Sequence, residues 1–126
     1  MIIDVHSHDF PDQIAARAMA GMCRQTEGDL WPVGDGTLAN HLDHLDLAGV
    51  DKAISCPIAT KPHMFEGLFR RASDIRDGAL GPRAQAKIVP FASVHPLDPE
   101  RQRMLRKLQI CSFIAVTRKF VVSPFR

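Results

Sequence analysis

The chain has 126 residues, 45% of them hydrophobic and 24% charged, a composition that fits one globular domain and excludes a fibre or a disordered chain. Its three cysteines, Cys23, Cys56 and Cys111, are widely spaced and never in a CxxC arrangement. This argues against a disulfide framework and a thiolate zinc site and leaves them as buried thiols, while the net charge of +2 conceals an uneven distribution along the chain.

Met1–Val5 reads as a buried strand, Ile2 and Ile3 being β-branched and Val5 continuing the run. His6 and His8 stand at its C-terminal end, in IDVHSHDF. Alternate strand positions share a face, so the two imidazoles point the same way, with Asp4 on that face as well. Residues 11–24 (PDQIAARAMAGMCR) follow as a helix, with Pro11 in its first turn and Ile14, Ala18 and Met22 at four-residue spacing. EGDLWPVGDG is then a loop, in which Trp31 is read as a plug over the core rather than the wall of a pocket.

TLANHLDHLDLAGVDK is an amphipathic helix: Leu38, Leu42 and Leu45 repeat on one face, Thr37 caps the start and Gly49 closes the end. KAISCPI, residues 52–58, is a second buried strand, and HMFEGLFRRASDIRDG a further helix. A link containing Gly and Pro leads to the strand KIVPFASV, residues 87–94. In LDPERQRMLRKLQ, Asp98 is the N-cap, Pro99 the first helical residue and Met104, Leu105 and Leu108 the apolar stripe. CSFIAV, residues 111–116, is a fourth apolar run.

Strands alternating with helices indicate βαβ units and a parallel sheet. Four such units are half of a (β/α)8 barrel, a fold of about 250 residues whose active site lies at the C-terminal ends of its strands. The expected class is therefore α/β, with about four parallel strands in half-barrel order.

Two imidazoles on one strand face can converge on a Zn²⁺ ion or another first-row divalent metal, and Asp4 can orient an imidazole N–H from outside the ligand set. The alternative is a pair of histidines satisfied by ordinary hydrogen bonds. His95, in VHPLDP after the third strand, faces the same mouth in this topology; its competing role is to cap the turn before Pro96. Thr60, Lys61 and His63 occupy the loop after the second strand and read as solvated. His41 and His44 lie three apart on their helix, a spacing that can form a helical metal pair, but they share its polar face with Asp43, so solvent exposure is expected for both.

IDVHSHDFPDQIA resembles the opening of the amidohydrolase superfamily, in particular amidohydrolase family 2, which includes aminocarboxymuconate-semialdehyde decarboxylase-like enzymes. LDLAGVDKAISCPIATKP is similar to the family's first helix end and second strand, and KIVPFASVHPLDPE to its third strand and the loop that follows. The resemblance covers residues 1–109 and the first half of the family's barrel. It implies a metal-dependent TIM-barrel enzyme with His6 and His8 as the first two ligands of a divalent ion: Zn²⁺, with Mn²⁺ and Fe²⁺ as alternatives. Implied with it are a small-molecule substrate and either attack by an activated water on a C–N or C–O bond or non-oxidative decarboxylation. TatD-like nucleases and PHP phosphoesterases also open on an HxH strand, and an inactive fragment or interaction module is the non-enzymatic alternative.

Beyond the third unit the chain departs from the family. Its fourth-strand segment is absent at Ala115–Lys119, and no histidine follows His95. Residues 1–100 hold all 14 acidic side chains and nine basic ones, a net of −5, whereas residues 101–126 hold seven basic residues and no acid. Residues 110–126 are accordingly read as an atypical basic tail, of the kind a frameshifted or shortened reading frame produces. The tail lacks the repeats and interleaved aromatics of a nucleic-acid-binding segment, so no nucleic acid is expected. The absence of any apolar stretch of about 18–20 residues, together with Asp4 near the N-terminus, leads to the expectation of a cytoplasmic protein with no membrane partner. Open sheet edges make a homo-oligomer the expected assembly.

Overall fold

In the computed structural model, which describes residues 1–25, 29 and 31–110, three strands alternate with five helices. The order is β1 (Ile3–Ser7), α1 (Asp12–Gln25), α2 (Leu38–Leu47), β2 (Lys52–Ser55), α3 (Phe65–Arg76), α4 (Pro82–Lys87), β3 (Ile88–Pro90) and α5 (Arg101–Ile110). The strands form one open parallel sheet in the order β1-β2-β3. The expected α/β class and parallel pairing are therefore present. CSFIAV, expected as a fourth strand, and the rest of the tail lie outside the described residues.

The register sets Asp4 opposite Ala53 and Ser7 opposite Ser55, with an irregularity between Asp4 and Ser7. Ala53, Ile54 and Ser55 in turn pair with Ile88, Val89 and Pro90. β2 and β3 both stop early compared with the sequence reading, and proline accounts for it. Pro57 and Pro90 have no N–H to donate to a ladder. β2 thus ends at Ser55 instead of Ile58, and β3 at Pro90 instead of Val94.

The apolar core lies on the helical side of β2 and β3. Leu38, Leu42 and Leu45 of α2 pack with Val50, Ala53, Ile75, Ala84 and Ile88. A second cluster joins Phe65, Phe69 and Ala72 of α3 to Met104 and Leu108 of α5, with Ala92 and Val94 between them. The ends of α2 form as the sequence suggests. The Thr37 hydroxyl accepts from the Asn40 N–H at 3.2 Å, and Gly49, at φ +67°, turns the chain so that the Val50 N–H reaches the Leu45 carbonyl at 2.8 Å.

Several expectations are corrected. The first strand is not buried: Ile2 and Ile3 are exposed and Val5 is 71% exposed, because among the described residues β1 ends the sheet and pairs only with β2. It also extends through His6 to Ser7. The Gly/Pro link folds as α4, since Gly81 takes φ +98° and Pro82 then fits the first helical position. Asp98 and Pro99 precede α5 in a turn, the Asp98 carbonyl accepting from Arg101 at 3.2 Å and its Oδ1 from the Glu100 N–H at 3.1 Å. Trp31 is 85% exposed and plugs nothing. Cys23 and Cys56 are half-buried rather than buried, and Cys111 lies outside the described residues.

Candidate metal centre

In a parallel sheet the loops after each strand gather at one edge, and here that edge carries most of the polar residues singled out in the sequence. His6 ends β1 on its exposed side, and His8 follows, half-buried. Their rings meet edge-on, with centroids 4.8 Å apart, and their Nε2 atoms approach to 3.0 Å. At Zn–N distances of about 2.0–2.1 Å, tetrahedral geometry separates two ligand nitrogens by about 3.3 Å. The pair is thus within a small rotation of a chelating geometry.

The tautomers follow from the partners. His8 Nδ1 lies 2.7 Å from the Cys56 carbonyl, which can only accept, so Nδ1 carries the proton and Nε2 presents its lone pair. His6 Nε2 then donates to His8 Nε2. Were the pair to hold a divalent cation, both Nε2 atoms would supply their lone pairs and His6 would carry its proton on Nδ1. This backbone carbonyl behind His8 is the kind of partner that fixes a ligating imidazole.

Four further contacts hold His8 in place. Ser7 accepts at its carbonyl from the Cys56 N–H at 2.8 Å and donates its hydroxyl to the Ile54 carbonyl at 3.0 Å. Asp9, whose side chain is 1% exposed, accepts from the Ser55 hydroxyl at 2.6 Å and is paired with the Arg71 guanidinium of α3. Residues 7, 8 and 9 are thereby tied to β2 and α3. Asp9, Ser55 and Arg71 were not singled out by sequence reasoning. The signal available was a serine at the end of an apolar strand and an acid directly after the histidines, and neither identifies its partner.

Asp4 stands in a different relation to the pair from the one expected. Its Oδ1 accepts from the His6 backbone N–H at 3.0 Å, so it fixes the strand carrying His6, while the Cys56 carbonyl orients the ring of His8. His95 takes its turn-capping role: Nδ1 accepts from the Leu97 N–H at 3.2 Å, and its carbonyl accepts from Asp98 at 3.0 Å. Thr60, Lys61 and His63 are exposed, as expected of a solvated loop. His63 nevertheless has φ +67° and donates its N–H to Asp98 Oδ2 at 2.7 Å, joining the loops after β2 and β3. That bond holds the Asp98 carboxyl below the usual carboxylate range.

The expectation of solvent exposure for His41 and His44 is corrected, since both are half-buried. His41 Nδ1 is enclosed without a hydrogen-bond partner. Burial lowers its pKa below the ordinary 6.5, against the opposing fields of Asp9 and Asp4. The Cys56 thiol is pushed up by burial and by Asp4, which favours its protonated form. Among the described residues no group of three or more His, Cys, Asp and Glu is arranged to hold a metal.

Compared with known proteins, the sequence matches no family model, no curated protein and no solved structure. No helix among the described residues is long and apolar enough to cross a membrane. The residues themselves are therefore the guide to function.

Proposed function

We propose that the chain carries the opening, metal-binding strand of a (β/α)8 hydrolase of the amidohydrolase type, with β1, β2 and β3 as consecutive barrel strands. The observation that supports this reading is the convergence of His6 Nε2 and His8 Nε2 at 3.0 Å at the C-terminal edge of a parallel sheet, with His8 oriented through Nδ1. Zn²⁺ is the ion best matched to two neutral imidazoles, with Mn²⁺ and Fe²⁺ as alternatives. When bound, such an ion lowers the pKa of water toward about 7 and polarises a substrate oxygen.

The chain's own contribution is to hold the ligands. His8 keeps its lone pair outward because the Cys56 carbonyl holds the opposite proton. Asp4 fixes the His6 backbone, and the Asp9 pairing with Ser55 and Arg71 anchors the residue after His8. A small molecule with a carboxylate, amide or ester oxygen suits this edge, and hydrolysis and decarboxylation are its two candidate reactions.

Metal analysis of the purified chain beside a His6→Ala/His8→Ala double variant tests the proposal. Bound zinc lost in the double variant supports it; equal zinc in both proteins, or none in either, overturns it. A second reading, metal binding without turnover, is favoured by the lack of a third grouped ligand among the described residues. Hydrolysis of activated esters by the zinc-loaded chain, abolished in the same variant, would decide against that reading.

A further inference from the structure

We propose that His6 and His8 are half of a metal site completed by the same pair from a second copy of this chain, so that one divalent ion bridges two copies through four imidazoles. This rests on the metal-binding reading above and adds the partner.

A tetrahedral zinc site takes four ligands, or three with one position left for water, and the pair offers two. Several neighbouring donors are engaged elsewhere, and His41 Nδ1, although without a partner, is enclosed and is not grouped with the pair among the described residues. The Asp4 carboxylate accepts from the His6 N–H, the Asp9 carboxylate holds Ser55 and Arg71, and His8 Nδ1 is bonded to Cys56. Residues 26–28, 30 and 111–126, which lie outside the described set, contain only Glu27 and Cys111 as metal-ligating types. Ligands supplied within the chain are therefore scarce, and those two side chains can be tested one by one.

The pair is also placed for a partner. His6 is exposed and lies on β1, which ends the sheet formed by the described residues. The same strand exposes Ile2, Ile3 and Val5, apolar surface that an association would cover. A two-fold interface presents one patch to its own copy, so a patch carrying two imidazoles becomes a four-nitrogen set. Plain strand-to-strand addition is less well served, because Asp4 already occupies the His6 N–H. The link is consequently through the ion, and the association depends on it.

The test is the solution mass of the full chain by light scattering during a Zn²⁺ titration from a chelator-treated start. The expected result is a monomer without metal and a doubled mass that plateaus at one zinc per two chains. His6→Ala and His8→Ala should each abolish the doubling while leaving the circular dichroism spectrum of the metal-free chain unchanged, and Glu27→Gln and Cys111→Ser should leave it intact. One zinc per chain at monomer mass overturns the bridged dimer and keeps the metal-binding reading; no zinc bound overturns both. A dimer that persists in chelator and in the histidine variants overturns the bridge and assigns the contact to the apolar edge. If His6→Ala alters the fold, His6→Asn repeats the titration with the ring removed and the polarity kept.

Discussion

β1 and β2 are neighbours in one sheet and are held there by different physics. β2 places Ala53, fully buried, beneath Leu38, Leu42, Leu45 and Ile75, so apolar packing secures it. β1 exposes Ile3 and Val5 and is attached at its C-terminal end by polar links: Ser7 to Ile54, His8 to Cys56, and Asp9 to Ser55 and Arg71. The packed strand supplies stability, and the polar-tethered one supplies the residues with chemistry. Apolar burial tolerates small shifts, whereas hydrogen bonds and ion pairs set direction, which is what a metal ligand requires.

The sharpest way to test that contrast is to cut one residue from each side. Ile75→Ala removes a buried side chain from the main cluster and should cost about 2–5 kcal/mol in denaturant unfolding, whereas Val5→Ser should change stability by no more than about 0.5 kcal/mol. Equal losses from the two would show that β1 is packed as firmly as β2. Next in size is Arg71→Met, which leaves the Asp9 carboxylate enclosed without its cation. Breaking a buried pair costs about 3–5 kcal/mol; with Arg71 itself 20% exposed, a loss of about 2–3 kcal/mol is expected. Zinc affinity should fall with it, because Asp9 anchors the residue next to His8. Adding Asp9→Leu should restore part of the stability but not the affinity. Full recovery of both would reduce the pair to packing.

How much of this was legible in the sequence differs along the same divide. The α2 helix was readable in full, since Leu38, Leu42 and Leu45, the Thr37 cap and the Gly49 terminus are local signals that the core then reinforces. The HxH pair was readable because strand alternation alone puts both rings on one side. What holds the pair was not readable. The Asp9 contacts with Ser55 and Arg71 span 46 and 62 residues, and nothing local announces a long-range polar partner. His95 illustrates the converse, a histidine suggestive by position whose ring nitrogen is used by a turn two residues away. The exposure of β1 was misread because Ile2, Ile3 and Val5 describe a strand to be covered, and a sequence pattern does not say by what.

A smaller effect marks the packed side. Thr37→Ala removes the acceptor for the Asn40 N–H and the donor to Asp35, and it should lower stability by about 1 kcal/mol while leaving zinc binding unchanged. If zinc binding also weakened, the start of α2 would be coupled to the histidine edge, through the bridge that pairs Phe10 with Thr37.

The smallest expected effect lies where the two regions meet. His41 projects from the packed helix into the fields of Asp4, Asp9 and His8, and burial keeps it neutral below its ordinary pKa of 6.5. The unfolded chain binds a proton there first as the pH falls through 6.5, so the contribution is neutral above that value and becomes destabilising below it, until the lower folded-state value is passed. Urea midpoints measured in chelator between about pH 7 and pH 5.5 should decline, and His41→Leu should flatten the decline because the linked proton is gone. An identical slope in the variant would mean that enclosure of His41 does not resist protonation. The field of β1's carboxylates, reaching across from the tethered strand, would then outweigh the packing of α2 at the one side chain that both regions share.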